Sequence, residues 1–337
     1  MYEHKEMVTI YKQIGDFINF SQDIGHNIAY FQGGGGNISC KVSLSARTLI
    51  LIKASGFKVR DMAMQETGNK GWTLLEYNAL IAILNLKTLD QISDRESGGL
   101  LRNAIVSEID GTKLPITSPS METWFHALLS GRYIIHSHSV YVNVATCSEE
   151  GAIWIRDKLT PAIIQNFNLK YGNIVWIDYV TPGIKLAIKI KAAIEMATND
   201  LSFKDLPNQD ETKIIFLANH GVIVSGKDSQ TVLAIHEFIN SKIRALLKLT
   251  EFTLAEFASQ DFDLSNNTDL NYSEILIPDL AVYSQKPRSD NLTETYAGHR
   301  YILNKIQAIG FTPRYLSLDA VGELLGMESE KYRSAIQ

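Results

Sequence analysis

Residues 131–144 read GRYIIHSHSVYVNV, an apolar, β-branched run that holds two histidines one residue apart. An extended chain alternates its side chains between two faces, so His136 and His138 project from one face and Ser137 from the other. Two neutral imidazoles side by side can share a divalent cation, zinc most readily, because zinc takes nitrogen ligands. They can equally be hydrogen-bonded histidines of a core or surface, and spacing alone leaves both readings open.

The flanking segments outline the elements that would carry this strand. The N-terminus, MYEHKEMVTIYKQIGDFINFSQDIG, places apolar residues at helical spacing. The stretch NIAYFQGGGGNISCKVSLSARTLILIKASGFKVRDM then reads as strand, turn, strand, turn. From Gly71 to about Leu101 the pattern predicts a helix followed by a polar, helix-favouring stretch. In PITSPSMETWFHALLSG, Ser118 or Ser120 can cap a helix that carries Glu122 and His126 on one face. Residues 151–171 look irregular and partly helical, and NIVWIDYV is a short strand ending at Thr181-Pro182-Gly183. A helix from 185 to about 197 leads through a polar loop to KIIFLANHGVIVSG, two apolar runs broken by Asn219-His220-Gly221. DSQTVLAIHEFINSKIRALLKL is a long amphipathic helix.

From about residue 261 the polar, turn-rich DFDLSNNTDLNYSE interrupts the periodicity. The expected division is a main domain over 1–258, then a polar linker and a small, mostly helical C-terminal appendage over 259–337. In that appendage the pattern predicts an extended segment around 275–283 and then small helices. No internal repeat is present.

Composition narrows the classes of function. With 337 residues, 45% hydrophobic and 20% charged, the chain has the balance of a soluble protein with a sizeable core. A net charge of −5 without a Lys/Arg-rich block argues against a nucleic-acid partner. Cys40 and Cys147 match no disulfide framework or zinc-finger spacing and read as packed thiols. The N-terminus reads as neither a signal peptide nor a membrane span, so a cytoplasmic location without a membrane partner is expected.

A catalytic zinc keeps three protein ligands and an open position, so a third ligand should be present. Of the eight histidines, His4 and His26 lie in or near the first helix, His236 on a helix and His299 in the tail. His220 differs, since it ends an apolar strand and precedes Gly221, an arrangement expected to expose an imidazole at a sheet edge. Taken alone it also fits a turn residue bonded to nearby backbone. Glu122, fourteen residues before His136, can act as a base or a further ligand, or be a helix-start glutamate favoured by the dipole. The tract Gly33-Gly34-Gly35-Gly36-Asn37-Ile38-Ser39 gives backbone amides access to an anion. No GK[ST] follows, so it is not a P-loop, and by itself it is also a flexible turn.

Taken in order, these motifs resemble the class II aldolase/adducin family over about residues 8–250. The motifs are a glycine-rich loop ending G-N-x-S, the S-G turn of LIKASG, P-S-x-E, H-x-H, Y-x-x-P-G and N-H-G. The resemblance implies a three-layer α/β/α fold with a mostly antiparallel central sheet and a homo-oligomer, a tetramer above all. It implies that His136, His138 and His220 bind Zn2+ or another divalent metal and that Glu122 is the catalytic acid/base. It assigns Gly36, Asn37, Ser55, Gly56 and Ser120 to the substrate phosphate, and Tyr179 to assisting protonation.

Two positions depart from the small sugar-phosphate aldolases of the family. Gly34 stands where a threonine is common and Met121 where a second serine is common, and Lys53 could compensate as a point charge. The longer stretch between Asp61 and Pro119 is more similar to the aldolase half of bifunctional rhamnulose-phosphate aldolase/short-chain dehydrogenase proteins. No G-x-G-x-x-G follows a strand in these residues, so a dehydrogenase half is not expected here. The implied function is a metal-dependent lyase that cleaves or forms a carbon–carbon bond in a sugar or sugar-phosphate through a stabilised enediolate. An epimerase, dehydratase or decarboxylase of the same family is the alternative, and a non-catalytic adducin-like binding domain a more distant one.

Overall fold

Apolar residues on both faces of most strands build a sheet that must be covered twice. The computed structural model describes residues 2–44, 47–64, 71–109, 111–114, 116–199, 212–258, 271–286 and 289–335. The polar loop before KIIFLANHG and most of the polar linker expected from 259 lie outside the described residues. In chain order the strands are β1 (Asn37–Leu44), β2 (Arg47–Lys53), β3 (Trp72–Glu76), β4 (Glu108–Ile109), β5 (Thr112–Lys113), β6 (Tyr133–Ser137), β7 (Ile174–Ile177), β8 (Lys213–Leu217) and β9 (Gly221–Gly226). Strands β4 and β5 form a separate ribbon. The other seven form one sheet in the order β3-β2-β1-β6-β9-β8-β7. Only the β7–β8 pair is parallel; every other neighbour is antiparallel.

Alternate residues of the strands feed two cores. Ile38, Leu49, Leu51, Ile135, Phe216, Val222 and Val224 face one layer of helices, Tyr2–Gly25, Val140–Thr146, Ser229–Leu247 and Asp290–Ala308. Ile50, Ile52, Ile134, Ile215, Leu217 and Ile223 face the other, built from Tyr77–Leu84, Asp94–Asn103, Thr123–Leu128 and Ile184–Asn199. The architecture is therefore the expected three-layer α/β/α with a mostly antiparallel sheet. The helices Pro278–Tyr283, Asp290–Ala308 and Leu318–Gly326, all within the segment expected as an appendage, bury Leu280, Tyr301, Ile302 and Leu324 in the first of these cores.

Several elements differ from the sequence expectation, each for a physical reason. WTLLE is strand β3, paired through Leu74 with Leu51, where a helix is predicted; leucine suits both states and short apolar runs do not separate them. The β-branched VYVNVAT after the histidine pair is a helix whose seven residues are all buried. A helix enclosed on every side has no polar stripe, and periodicity cannot reveal it. Pro278–Tyr283, expected as extended, is likewise a fully buried helix. Residues 151–167 are helical throughout, with a π-turn at Ile155–Leu159 just before the helix that carries Pro161 near its start. Small helices are present at Leu318–Gly326 and Glu328–Ala335, but a 19-residue one, Asp290–Ala308, precedes them, capped by Ser289, which accepts from the Leu292 N–H at 3.1 Å.

Candidate metal centre and pocket

The site is assembled from three chain reversals. At the start of Thr123–Leu128, Ser120 rather than Ser118 organises the turn: its Oγ accepts from the Glu122 N–H at 3.3 Å, and its carbonyl accepts from Thr123 Oγ1 at 2.6 Å. This sets Glu122 at the mouth of a helix whose body, from Trp124 to Ala127, is buried. Strand β6 then delivers His136 and, one residue past its end, His138. Ser137 points to the opposite face, as alternation requires, and shares a 2.7 Å hydrogen bond with His236 Nε2.

The third reversal is the β8–β9 turn. Asn219 holds a left-handed backbone (φ 56°), and its Nδ2 donates to the carbonyls of Leu276 and Arg314. This anchored turn presents His220. Because β8 and β9 are interior strands, His220 is 3% exposed, not displayed at a sheet edge as its sequence context suggested. Gly221 allows β9 to close on β6, since a Cβ there would lie inside van der Waals contact with the Ser137 carbonyl oxygen.

Glu122, His136, His138 and His220 each aim one ligand atom at a common point, and those atoms lie within 4.8 Å of one another. His136 Nε2 is 3.0 Å from His138 Nε2 and 3.4 Å from His220 Nε2. Glu122 Oε1 is 3.2 Å from His136 Nε2 and 3.4 Å from His220 Nε2. The partners of the outward nitrogens define the tautomers: His136 Nδ1 donates to the Val222 carbonyl at 3.2 Å, and His138 Nδ1 faces the Asp279 carboxylate. With those protons on the outer nitrogens, the inward nitrogens are the ones free to ligate. Lone pairs and a carboxylate oxygen converging in a buried site repel one another unless a cation lies among them, so the donor set fits a divalent metal. Burial pushes His220 down to about 4, which keeps it neutral and able to ligate.

A pocket opens beside these four residues. Of the residues expected to bind substrate, Gly36, Lys53, Ser55, Gly56 and Ser120 line it together with Glu122. Gly34 and Met121, the two departures, line it as well, so the hydroxyl groups they lack are missing from the pocket wall itself. Lys53 is buried and its Nζ donates to the carbonyls of Gly34 at 3.1 Å and Phe57 at 2.8 Å, bringing positive charge beneath the glycine loop. Asn37 sits opposite His136 in the β1–β6 register, and neither atom of its buried amide has a hydrogen-bond partner among the described residues. Tyr179 is not among the lining residues. Its hydroxyl is buried without a hydrogen-bond partner among the described residues, and burial, reinforced by the charges of Glu330 and Glu323, raises its pKa.

Four residues here were not expected from the sequence. Ser329 and Glu330 enter the pocket wall from the helix Glu328–Ala335, which is tied down where Ser329 Oγ and the Glu328 N–H donate to Asp94. Asp279 stands behind His138. Glu294 accepts from the Gly33 N–H at 2.7 Å and pairs with Lys58 at 2.8 Å and Arg60 at 2.5 Å. The sequence signal for Asp279 was a carboxylate inside the apolar run ILIPDLAVY, which names no partner, and Glu294 in the polar DNLTETY had none.

Comparison with known proteins follows the same lines. The description "Class II Aldolase and Adducin N-terminal domain" matches residues 101–247. The protein named "Uncharacterized oxidoreductase YuxG" from Bacillus subtilis (strain 168) is 25% identical over 227 residues, 65% of this chain; the match spans only 27% of that relative's length. The N-terminal class II aldolase domain of a Thermoplasma acidophilum protein is 22% identical, with a TM-score of 0.46 over 68% of this chain and 92% of its own. A sugar-phosphate aldolase from Thermotoga maritima is 15% identical, with a TM-score of 0.41 over 68% and 94%.

Proposed function

We propose that this chain, a member of the class II aldolase and adducin family through its residues 101–247, is a metal-dependent lyase that breaks a carbon–carbon bond in a sugar or sugar-phosphate. The observation that carries this reading is the convergence of Glu122, His136, His138 and His220 beside a pocket floored by a glycine loop. His136, His138 and His220 would hold the ion, Zn2+ or another divalent metal. Bound there, it supplies Lewis-acid stabilisation of the negative charge left on the substrate when the bond breaks.

The remaining work falls to the chain's own groups. Glu122 Oε1 moves the proton to and from the reacting carbon. The amides of Gly36 and Asn37, with the hydroxyls of Ser55 and Ser120, hold the far end of the substrate, phosphate or hydroxyl, with Lys53 supplying charge from below. Tyr179, kept protonated by its burial, lies outside the lining of this pocket and takes no step in this scheme. The chain works as a cytoplasmic homo-oligomer, a tetramer above all. No described helix is long and apolar enough to cross a membrane.

A retro-aldol screen of phosphorylated and free ketoses, with Zn2+ supplied and the product aldehyde trapped, tests the reading. Cleavage of at least one ketose is expected. Epimerisation, dehydration or CO2 release without cleavage would move the assignment to another reaction of the family.

A further inference from the structure

We infer that Asp279 is a positioning residue of this site: from a helix 141 residues away in sequence, it sets the proton and orientation of His138 so that Nε2 faces the metal. The inference rests on the metal reading above. Asp279 lies in the first turn of Pro278–Tyr283 and its side chain is 3% exposed. Its Oδ2 meets His138 Nδ1, the ring nitrogen that faces away from the convergence point, so the carboxylate acts through the imidazole and not as a ligand of its own. A carboxylate behind a ligating imidazole fixes the tautomer with the proton on the outer nitrogen, locks the ring and makes the inner nitrogen more basic.

The glycine tract supplies an independent observation. A Cβ built on Gly35 would collide with Asp279 Oδ2 and come within 2.8 Å of His138 Nδ1. The third glycine of the GGGG run is therefore the space that the Asp279–His138 pair occupies. A phosphate reading explains the glycine loop only through its amides. The missing side chain at Gly35 does something further, since it lets a carboxylate from the C-terminal segment reach the H-x-H strand. No local pattern in IPDLAVY announces that contact.

Substitution of Asp279 by Asn keeps the shape and removes the charge. The affinity of the full-length chain for Zn2+, measured by competition with a chromophoric chelator, is expected to fall about 10- to 100-fold in Asp279→Asn. The visible absorption of bound Co2+, which reports ligand strength, is expected to shift. A purely structural role would leave both unmoved once the metal-free melting temperatures match. Gly35→Ala retains Asp279 but pushes it off His138, and is expected to weaken Zn2+ in the same direction; it keeps the test decisive should Asp279→Asn not fold. Zn2+ affinity within twofold of wild type and an unchanged Co2+ spectrum in the variant that folds would overturn the role of Asp279 while the metal reading stands. A wild-type chain that binds neither ion would overturn both.

Discussion

Glu122 and Gly221 are needed at the same site for opposite reasons, one for what its side chain does and the other for having none. Replacing Glu122 by Gln preserves shape and leaves three imidazoles, so metal content should stay near wild type. Turnover of the ketose found by the screen should drop by about 10²- to 10⁴-fold; undiminished activity would remove Glu122 from the chemistry. Gly221→Ala combines an unfavourable φ of 152° with a Cβ that meets the Ser137 carbonyl. A loss of about 1–3 kcal/mol in urea unfolding is expected, as for an overpacked core position. At this scale much was legible. The facing of His136 and His138 follows from strand alternation alone, and His220 and Glu122 stand out by residue type. The burial of His220 was not legible, because which strands lie inside the sheet depends on their order and not on the turn itself.

The helix Asp290–Ala308 is the element whose contribution was least visible. It sends Glu294 to the Gly33 amide and to two cations of the neighbouring turn, Lys58 and Arg60. Burial disfavours charge on Glu294, but Arg60 and Lys58 outweigh it and keep the carboxyl ionised. Glu294→Gln should therefore loosen the glycine loop without touching the metal: KM should rise severalfold while Zn2+ content holds near wild type in a metal assay. A parallel loss of Zn2+ would mean that the loop and the metal centre do not separate in this way. The pattern behind the missed elements is consistent. VYVNVAT and PDLAVY are helices buried on every side, and WTLLE is a strand of helix-favouring leucines, so in each case tertiary surroundings decide what periodicity leaves open.

Over the whole molecule, three buried histidines outside the metal centre couple stability to pH, and burial holds one of them, His126, well below its ordinary range. Burial lowers His236 to about 3 and His299 to about 4, from an ordinary 6.5. Between those values and 6.5 the unfolded chain binds protons that the folded chain refuses, so their contribution is complete above about 6.5 and drains away as the pH falls. The melting temperature of the metal-free chain should decline as the pH is lowered from about 7 to about 5, and His299→Gln should flatten that slope; an equal slope in the variant would contradict it. The layered fold was legible through the order of six motifs, each short and local. The packing of the C-terminal helices on the same core was not, nor was the reach of Asp279 to His138, since both join residues separated by more than a hundred positions. The central claim is that His136, His138 and His220 with Glu122 form a metal centre. Elemental analysis of the purified chain after Zn2+ loading and removal of excess ion tests it most directly. One divalent ion per chain, lost in His136→Ala, is the result predicted; well under one ion per chain with Zn2+ supplied, or full retention in His136→Ala, would contradict it.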